Sequence, residues 1–523
     1  MPLKFVFGPS GSGKSTYLYQ HVIEESEKYP LKNFIVLVPE QFTMQTQKDL
    51  VSMHPRHGIM NIDVLSFARL AYRVFEETGT KQMQVLDDEG KNLILRKIAG
   101  DYENKLTVLK GNIKKLGYIS EVKSVISEFT QYDIGEEEMD EMLDHLDEDS
   151  RLYYKLKDIR LLYEGFQDYL RERYITKEEL LDVLNSQVKE SELLKNSVVV
   201  LDGFTGFTPV QNRLILELMR CCKEVWVTVT MDERENPYAY KHPYQLFGLS
   251  KQMVTTLVRM AGEDHIEVEE PVCLYGYPVK RFEKNKELAF LERNIFRYGS
   301  GRYDKAVENL EIHAAGNPRQ EADTVAEGIR RLVRKEQYRY RDIGVIVSDM
   351  NVYGDYLEQA FENYGIPVFM DHKRSILLNS FVEYIRSLLN MAEKNFSYES
   401  VFRFLRTNLA GFACEEVDEL ENYVLGLGIR GYKGWQNRWI RRLKGREEEE
   451  LDRLNHYRVQ LVEKVDNLMF VLKQKRKTVR DITMAVYEFM VKENIQERLQ
   501  RTEEEFQKAG ELALAKEYSQ VYR

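Results

Sequence analysis

Residues Gly8, Pro9, Ser10, Gly11, Ser12, Gly13, Lys14 and Ser15 fit the pattern G-x-x-x-x-G-K-[ST], the loop that cradles phosphates in nucleotide-binding proteins. Its chemistry follows from residue type. Glycines let the backbone curl so that successive N–H groups converge on phosphate oxygens. A helix start adds the positive end of its dipole. Lys14 reaches the β- and γ-phosphates, and the Ser15 hydroxyl ligates Mg²⁺, a hard cation that takes oxygen ligands. Gly8 through Thr16 are therefore the nucleotide-binding candidates, with ATP and Mg²⁺ as the implied pair. The apolar run Leu3 to Phe7 reads as a buried strand before the loop, and Thr16 to Lys28 as a helix after it. That context disfavours the competing reading, a glycine-rich turn with no ligand.

A phosphate loop needs a carboxylate at the end of a neighbouring strand to hold the metal, and a second one to position water. The segment Ser197-Val198-Val199-Val200-Leu201 reads as a buried strand and runs into Asp202. Asp202 is the second metal candidate beside Ser15; the competing reading is a helix cap or turn residue. The next residue is Gly203, which has no carboxylate, and nothing else in Gly203 to Gln211 is acidic. The expectation is a site that binds nucleotide and Mg²⁺ but turns nucleotide over slowly or not at all.

These residues must be positioned by elements, and the chain is long enough for several. Its 523 residues suggest three or four domains. A hydrophobic content of 43% with 31% charged residues is that of a globular chain. No apolar run approaches the ~20 residues of a membrane span, and the amino terminus has no secretory pattern. A cytoplasmic location without membrane association is expected. The net charge of −10 is not the footprint of a small basic nucleic-acid module, although a large protein can hold a local basic groove. Cys221, Cys222, Cys273 and Cys414 show no zinc spacing and read as reduced structural thiols.

Residues 1–85 alternate strand and helix, with further strands at Phe34 to Val38 and Asp63 to Phe67. From 86 to 195 only helical spacing is legible, and no strands are expected. Strands return at Ser197 to Leu201 and Val225 to Val229, so 196–300 is expected to rejoin the first sheet. A second α/β unit is expected over 301–392, with strands at Leu310 to Ala314, Ile343 to Val347 and Ile366 to Phe369. Helices are expected at Arg319 to Arg334 and Tyr356 to Tyr364. The remainder, 393–523, reads as helical, with Arg438 to Arg453 and Lys473 to Arg480 as solvated helix faces. The sequence stops inside a helical pattern without a stop signal, as expected of a piece of a longer protein. The fold class is α/β, with parallel sheets of the P-loop (RecA-like) type and large helical insertions.

The motifs resemble those of superfamily 1 helicases of the UvrD/PcrA/RecB type. Val38-Pro39-Glu40-Gln41-Phe42-Thr43 stands at the first polar loop, Val64 to Leu70 at the second, and Asp202-Gly203-Phe204-Thr205-Gly206 where active members have D-E-F-Q-D. The segment Asp342 to Leu389 resembles the start of the family's second motor domain. The match is closer to the B subunits of the bacterial AddAB (RexAB) helicase–exonucleases, carried by the phosphate loop, VPEQFT at Val38 to Thr43, VLSFARLAYRVF at Val64 to Phe75 and LDGFTGFTPVQ at Leu201 to Gln211. Departures from active helicases also match. Gly203 lacks the carboxylate, Val229 to Arg234 stands where a glutamine-bearing motif belongs, and no γ-phosphate-sensing arginine is found near Ser348. The resemblance implies an inactive motor in a DNA double-strand-break repair complex, partnered by an AddA-like helicase–nuclease subunit. It implies contact with single-stranded DNA through Gln41, Thr43, Phe67, Arg69 and Phe207, and scanning of that strand for the Chi recombination hotspot. Phe67 and Phe207 suit base stacking, worth ~1–3 kcal/mol per base; the competing reading makes them core aromatics. It further implies a carboxy-terminal nuclease domain with a four-cysteine iron–sulfur (4Fe–4S) cluster and Mg²⁺. This stretch shows neither the cysteines nor the acidic cluster for it, so no nuclease activity is expected of it.

Two other functions fit the phosphate loop alone. A small-molecule or nucleotide kinase shares the motif, but no acceptor site or lid is legible. A scaffold with a vestigial loop would bind no nucleotide.

Overall fold

The computed structural model describes residues 2–79, 84–113, 115–171, 173–297, 299, 301–370, 376–443 and 447–522. The chain divides into two compact units, Met1–His313 and Ala314–Arg523.

The first unit is built on strands β1 (Leu3–Gly8), β2 (Asn33–Leu37) and β3 (Ile62–Leu65), followed in turn by helices α1 (Lys14–Lys28), α2 (Thr43–Met53) and α3 (Phe67–Thr78). Two three-residue strands, β4 (Gln84–Leu86) and β5 (Tyr174–Thr176), flank helices α4 (Asp88–Asp101), α5 (Leu116–Gln131), α6 (Glu136–Asp144) and α7 (Arg151–Leu170). Short helices α8 (Leu180–Gln187) and α9 (Glu192–Lys195) lead to β6 (Ser197–Leu201), α10 (Pro209–Cys221) and β7 (Glu224–Thr230). Then come α11 (Gly248–Glu263), β8 (Val272–Cys273) and α12 (Lys286–Asn294).

The large sheet has six strands in the order β3-β2-β6-β7-β1-β8, and its ladders are parallel. Alternation along the strands explains the two cores. Phe5, Phe7, Ile35, Leu37, Val199 and Leu201 face one side and meet α3, α10 and α11. Val6, Phe34, Val36, Val198 and Val200 face the other and meet Leu18, Tyr19, Val22 and Ile23 of α1. Both faces are covered, as an all-parallel sheet requires. In α3 the buried residues Phe67, Leu70, Ala71, Val74 and Phe75 recur at helical spacing.

Three details differ from the sequence reading. The third strand stops at Leu65, because Ser66 caps α3: its Oγ accepts from the Arg69 N–H at 3.4 Å. Phe67 is thereby the first residue of a helix instead of the last of a strand. The region 86–195 is not strand-free. β4 and β5 pair in parallel, Val85 opposite Ile175, and close the root of the helical insertion; three-residue strands leave too little alternation to read. The helix α11 and the strand β8 lie within 196–300 in addition to the two strands expected there. Within the insertion, buried Asp158 on α7 accepts N–H bonds from Thr107, Val108 and Leu109 at 2.8–3.1 Å, which orders that irregular segment.

The second unit contains α13 (Pro318–Glu336), α14 (Met350–Asn363), α15 (Ser380–Glu393), α16 (Tyr398–Leu405), α17 (Cys414–Leu427), α18 (Gly431–Gln436), α19 (Glu448–Leu472), α20 (Val479–Lys492), α21 (Ile495–Ala509) and α22 (Leu512–Val521). Helices α15 to α21 share a core rich in aromatics, including Tyr384, Phe404, Trp435 and Phe489. The expected strands are not formed. Leu310–Ala314, Ile343–Val347 and Ile366–Phe369 carry no ladder among the described residues, and Ile346 is 98% exposed. A buried parallel strand needs hydrogen-bonded neighbours, and no described segment supplies them with a ladder. The latter two segments instead line an open cavity of about 840 Å³ against Leu357 and Phe361 of α14. The stretch Arg438 to Leu443 is irregular instead of helical. Cys221 and Cys222 end α10 against the core, whereas Cys273 and Cys414 are exposed instead of structural core thiols.

Candidate nucleotide-binding site

The loop after β1 is shaped by its glycines. Gly11 and Gly13 have φ of +83° and +93°, where a side chain is disfavoured. Gly8 has no room for one: a Cβ there would lie 2.4 Å from Ser12 Oγ. Gly13 sits at the N-cap of α1 and offers no side-chain cap. The first bond along the helix runs from the Tyr17 N–H to Gly13 O at 2.9 Å, so the N–H groups of Lys14, Ser15 and Thr16 have no partner within the helix. The first turn of α1 contains no acid. The result is a concave row of donors at a positive helix end, the chemistry an anion requires. Pro9 and Ser10 complete the turn, Ser12 N–H donating to Pro9 O at 3.2 Å. Ser12 Oγ is buried without a hydrogen-bond partner, an orphan aimed within the cradle.

Lys14 Nζ donates to Gly8 O at 2.9 Å and Pro9 O at 3.0 Å. Burial draws its ammonium down to about 8, Arg281 adding to the effect and Asp202 opposing it. The Ser15 Oγ donates to Asp202 Oδ1 at 3.1 Å, so the two metal candidates meet although 187 positions separate them. Asp202 is 4% exposed. Its carboxylate also accepts from Thr228 Oγ1 at 2.6 Å and from the Tyr19 hydroxyl at 2.7 Å. Among the described residues no group of three or more His, Cys, Asp or Glu side chains is arranged to hold a metal alone. One carboxylate and one hydroxyl oxygen suit Mg²⁺, which keeps water and phosphate oxygens as its other ligands. The orphaned Ser12 hydroxyl, the bare helix end and this oxygen pair therefore fit an Mg²⁺-bound nucleotide.

Gly203 follows with φ +78°, and its N–H donates to Thr228 Oγ1 at 3.3 Å. The acid expected at this position in a hydrolase is absent, and the backbone itself has taken a conformation suited to glycine. A basic segment closes over the loop from the far end of the unit. Arg281 N–H donates to Gly11 O at 3.1 Å. A Cβ on Gly11 would lie 2.8 Å from the Arg281 Cβ, and one on Gly13 would lie 3.5 Å from the Lys280 Cδ.

The adjacent strands β3, β2 and β6 are parallel, so their carboxy-terminal loops share one sheet edge with the phosphate loop. Here the expected DNA contacts separate. Gln41 and Arg69 are both exposed, and Arg69 has no ion pair among the described residues. Thr43 is buried, its hydroxyl donating to Glu40 O at 3.0 Å. Phe67 is 7% exposed and packs on Phe204 and Phe207, ring centroids 5.4 and 6.4 Å away. Phe207 is half-buried against the same core. Thr43 and Phe67 thus face inward. The aromatic that faces solvent at this edge is Phe42, 48% exposed, with the exposed Met44 two residues on.

The family described as "ADDB, N-terminal" matches residues 5–292. The chain belongs to the AddB family. The B subunit of the ATP-dependent helicase/deoxyribonuclease from Lachnoclostridium phytofermentans is 42% identical over 100% of this chain and 46% of its own length. The proteins of the same name from Caldanaerobacter subterraneus and Clostridium acetobutylicum are 34% and 31% identical, again over the whole chain and 45% and 46% of theirs. The chain thus spans about half the length of the relatives it matches. In this AddB-family chain, sequence reasoning missed Arg281, Lys280 and Phe42. Arg281 carries no local signal, since only the fold brings it to Gly11. Phe42 lies inside the VPEQFT motif, but its neighbours Gln41 and Thr43 are the more conspicuous polar candidates. No helix among the described residues is long and apolar enough to cross a membrane.

Proposed function

We propose that this chain is the nucleotide-binding, DNA-gripping and motor-inactive half of an AddB-type subunit that acts with an AddA-like helicase–nuclease in DNA break repair. The observation that carries the reading is the pair Asp202–Gly203: the metal-holding carboxylate is kept and bonded to Ser15, while the position that would activate water is a glycine at positive φ. ATP would lie with its phosphates against the N–H groups of Gly11 to Thr16, and Lys14 would turn from the Gly8 and Pro9 carbonyls to the β- and γ-phosphates. Mg²⁺ would supply charge neutralisation between the phosphates, held by Ser15 and Asp202. Arg281 and Lys280 add positive charge at the same phosphates. Binding without turnover makes the nucleotide a structural ligand that fixes the sheet edge.

That edge supports the single-strand reading. Phe42 offers an exposed ring for base stacking, Arg69 a guanidinium for phosphate, and Gln41 neutral hydrogen bonds. The AddB resemblance extends this grip to recognition of the Chi hotspot on the passing strand. The cytoplasm is the proposed location.

The test is equilibrium binding of a fluorescent ATP analogue to the purified chain, alongside phosphate release. Saturable Mg²⁺-dependent binding with no release above background is expected, and Lys14→Ala abolishes the binding while leaving single-stranded DNA affinity largely intact. A Lys14→Ala protein that still holds the analogue at wild-type affinity refutes the site. Phosphotransfer to a nucleoside monophosphate would favour a kinase instead.

A further inference from the structure

We infer that the segment Arg430 to Leu443 of the second unit is a docking surface for the phosphate backbone of duplex nucleic acid. The choice of polyanion rests on the DNA reading above; the surface itself does not depend on the nucleotide site.

In a chain of net charge −10, the stretch from Asn422 to Arg446 contains no aspartate or glutamate. Its described cations include Arg438, Arg441 and Arg442, all exposed, with Arg430 and Lys433 just before them. Arg438 has one carboxylate partner, Asp452 at 3.6 Å, with both groups well exposed. Arg430, Lys433, Arg441 and Arg442 have no ion pair among the described residues. The acidic run Glu447 to Glu450 that follows lies at the start of α19, where acids complement the helix dipole.

After the short helix α18 the segment is irregular yet pinned from within. Trp439 exchanges two backbone bonds with the Asn455 side chain, at 2.9 and 2.8 Å. Its indole N–H donates to Gly434 O at 3.0 Å. Arg458 holds the carbonyls of Trp435 and Gln436 at 2.7 and 2.9 Å, and the Tyr423 hydroxyl donates to Arg441 O at 2.6 Å. Arg458 is buried, and its bonds go to Asn455 and to carbonyls, not to a carboxylate. It adds a fixed positive charge behind the loop. A backbone held at so many points presents its outward cations with little ordering cost on binding.

The absence of stacking groups among the described residues of this surface selects the ligand. Trp435 and Trp439 are both buried, and the outward apolar residue is Ile440. Single strands are gripped through base–aromatic stacking, which this surface does not offer. A duplex hides its bases and presents paired rows of phosphates, which arginines grip without regard to sequence.

The experiment uses the full chain and measures anisotropy of a short blunt duplex of mixed sequence, between about 50 and 200 mM salt. R441Q/R442Q is expected to weaken duplex binding and to flatten the slope of log affinity against log salt by about 2, near 0.9 per lost phosphate contact. R441K/R442K keeps the slope. Near-ultraviolet circular dichroism reports whether Trp435 and Trp439 stay packed. Single-stranded oligothymidine binding and ATP-analogue binding remain at wild type in both variants, which separates this surface from the Phe42 edge. An unchanged duplex affinity and slope in R441Q/R442Q overturns the inference. So does a loss confined to oligothymidine, or one seen only with phosphatidylserine vesicles.

Discussion

Replacing Gly203 by glutamate restores, on paper, the carboxylate that a hydrolase carries after its metal-binding aspartate. The structure argues that it restores nothing. Gly203 has φ +78°, a left-handed conformation that costs a residue with a Cβ roughly 1–2 kcal/mol. The space is open, since a Cβ would meet only Pro39 Cδ at 3.8 Å, so steric clash adds little. If the backbone flips to relieve the strain, the N–H bond to Thr228 Oγ1 is broken, a loss of about 1 kcal/mol. Either route places the penalty at ~1–2 kcal/mol. The flip would also disturb Thr228, which donates to Asp202, and with it the oxygen proposed to hold the metal. Gly203→Ala carries the same backbone penalty without the carboxylate and is the natural control. Urea unfolding of the three proteins should give equal losses for the two variants, with unchanged denaturant sensitivity. Phosphate release should stay at background in all three. A Gly203→Glu protein as stable as the wild type would refute the backbone argument. Metal-dependent turnover in that variant would refute the larger claim, by showing a motor that lacks a single residue.

The Lys14 ammonium, drawn down to about 8 by burial, must be protonated to hold phosphates; nucleotide affinity is therefore flat below pH 8 and falls up to tenfold per unit above it. The same group favours folding in the opposite sense: its folded value lies below its unfolded value of 10.5, so its contribution to stability rises with pH between about 8 and 10.5. Arg281→Met should move the affinity midpoint upward, and titration of analogue binding across this range checks both points; a midpoint that stays fixed would remove Arg281 from the site. At the sheet edge, Phe42→Ala should lower oligothymidine affinity by ~1–3 kcal/mol with little change in stability. Phe67→Ala should do the reverse, lowering stability by ~3–5 kcal/mol. Equal effects of the two on DNA affinity would contradict their opposite orientations.

The curled loop and its contact with Asp202 were legible because their signals are local. A glycine-rich loop between an apolar run and a helix, and an aspartate at the end of Ser197 to Leu201, need no knowledge of the rest of the chain. The sheet edge was legible only as a neighbourhood. Whether Phe42 or Phe67 points to solvent is decided by the turn at Glu40–Phe42 and by the Ser66 cap, which set the direction of α2 and α3. Arg281 was invisible, since its partner Gly11 is remote in sequence. Ile343 to Val347 shows the converse error. Its apolar run reads as a buried strand, but a strand needs a hydrogen-bonded ladder, and none of the described segments pairs with it; only Ile343 and Val347 pack on the cluster of Leu357 and Phe361.

The order of strands in the large sheet has a consequence for how the polypeptide emerges during translation. β1 is made first, yet its two neighbours are β7 and β8, with Leu3 paired to Val225 and Val6 to Val272. At about 5–20 residues per second, the interval before Val225 leaves the ribosome is on the order of 10–40 s. Throughout that time the nascent Leu3–Gly8 segment has both edges unclaimed. The bond from the Met231 N–H to Gly8 O, at the start of the phosphate loop, can form only after the helical insertion and β7 have been synthesised. A pause or chaperone encounter in that window would set the yield of nucleotide-competent protein.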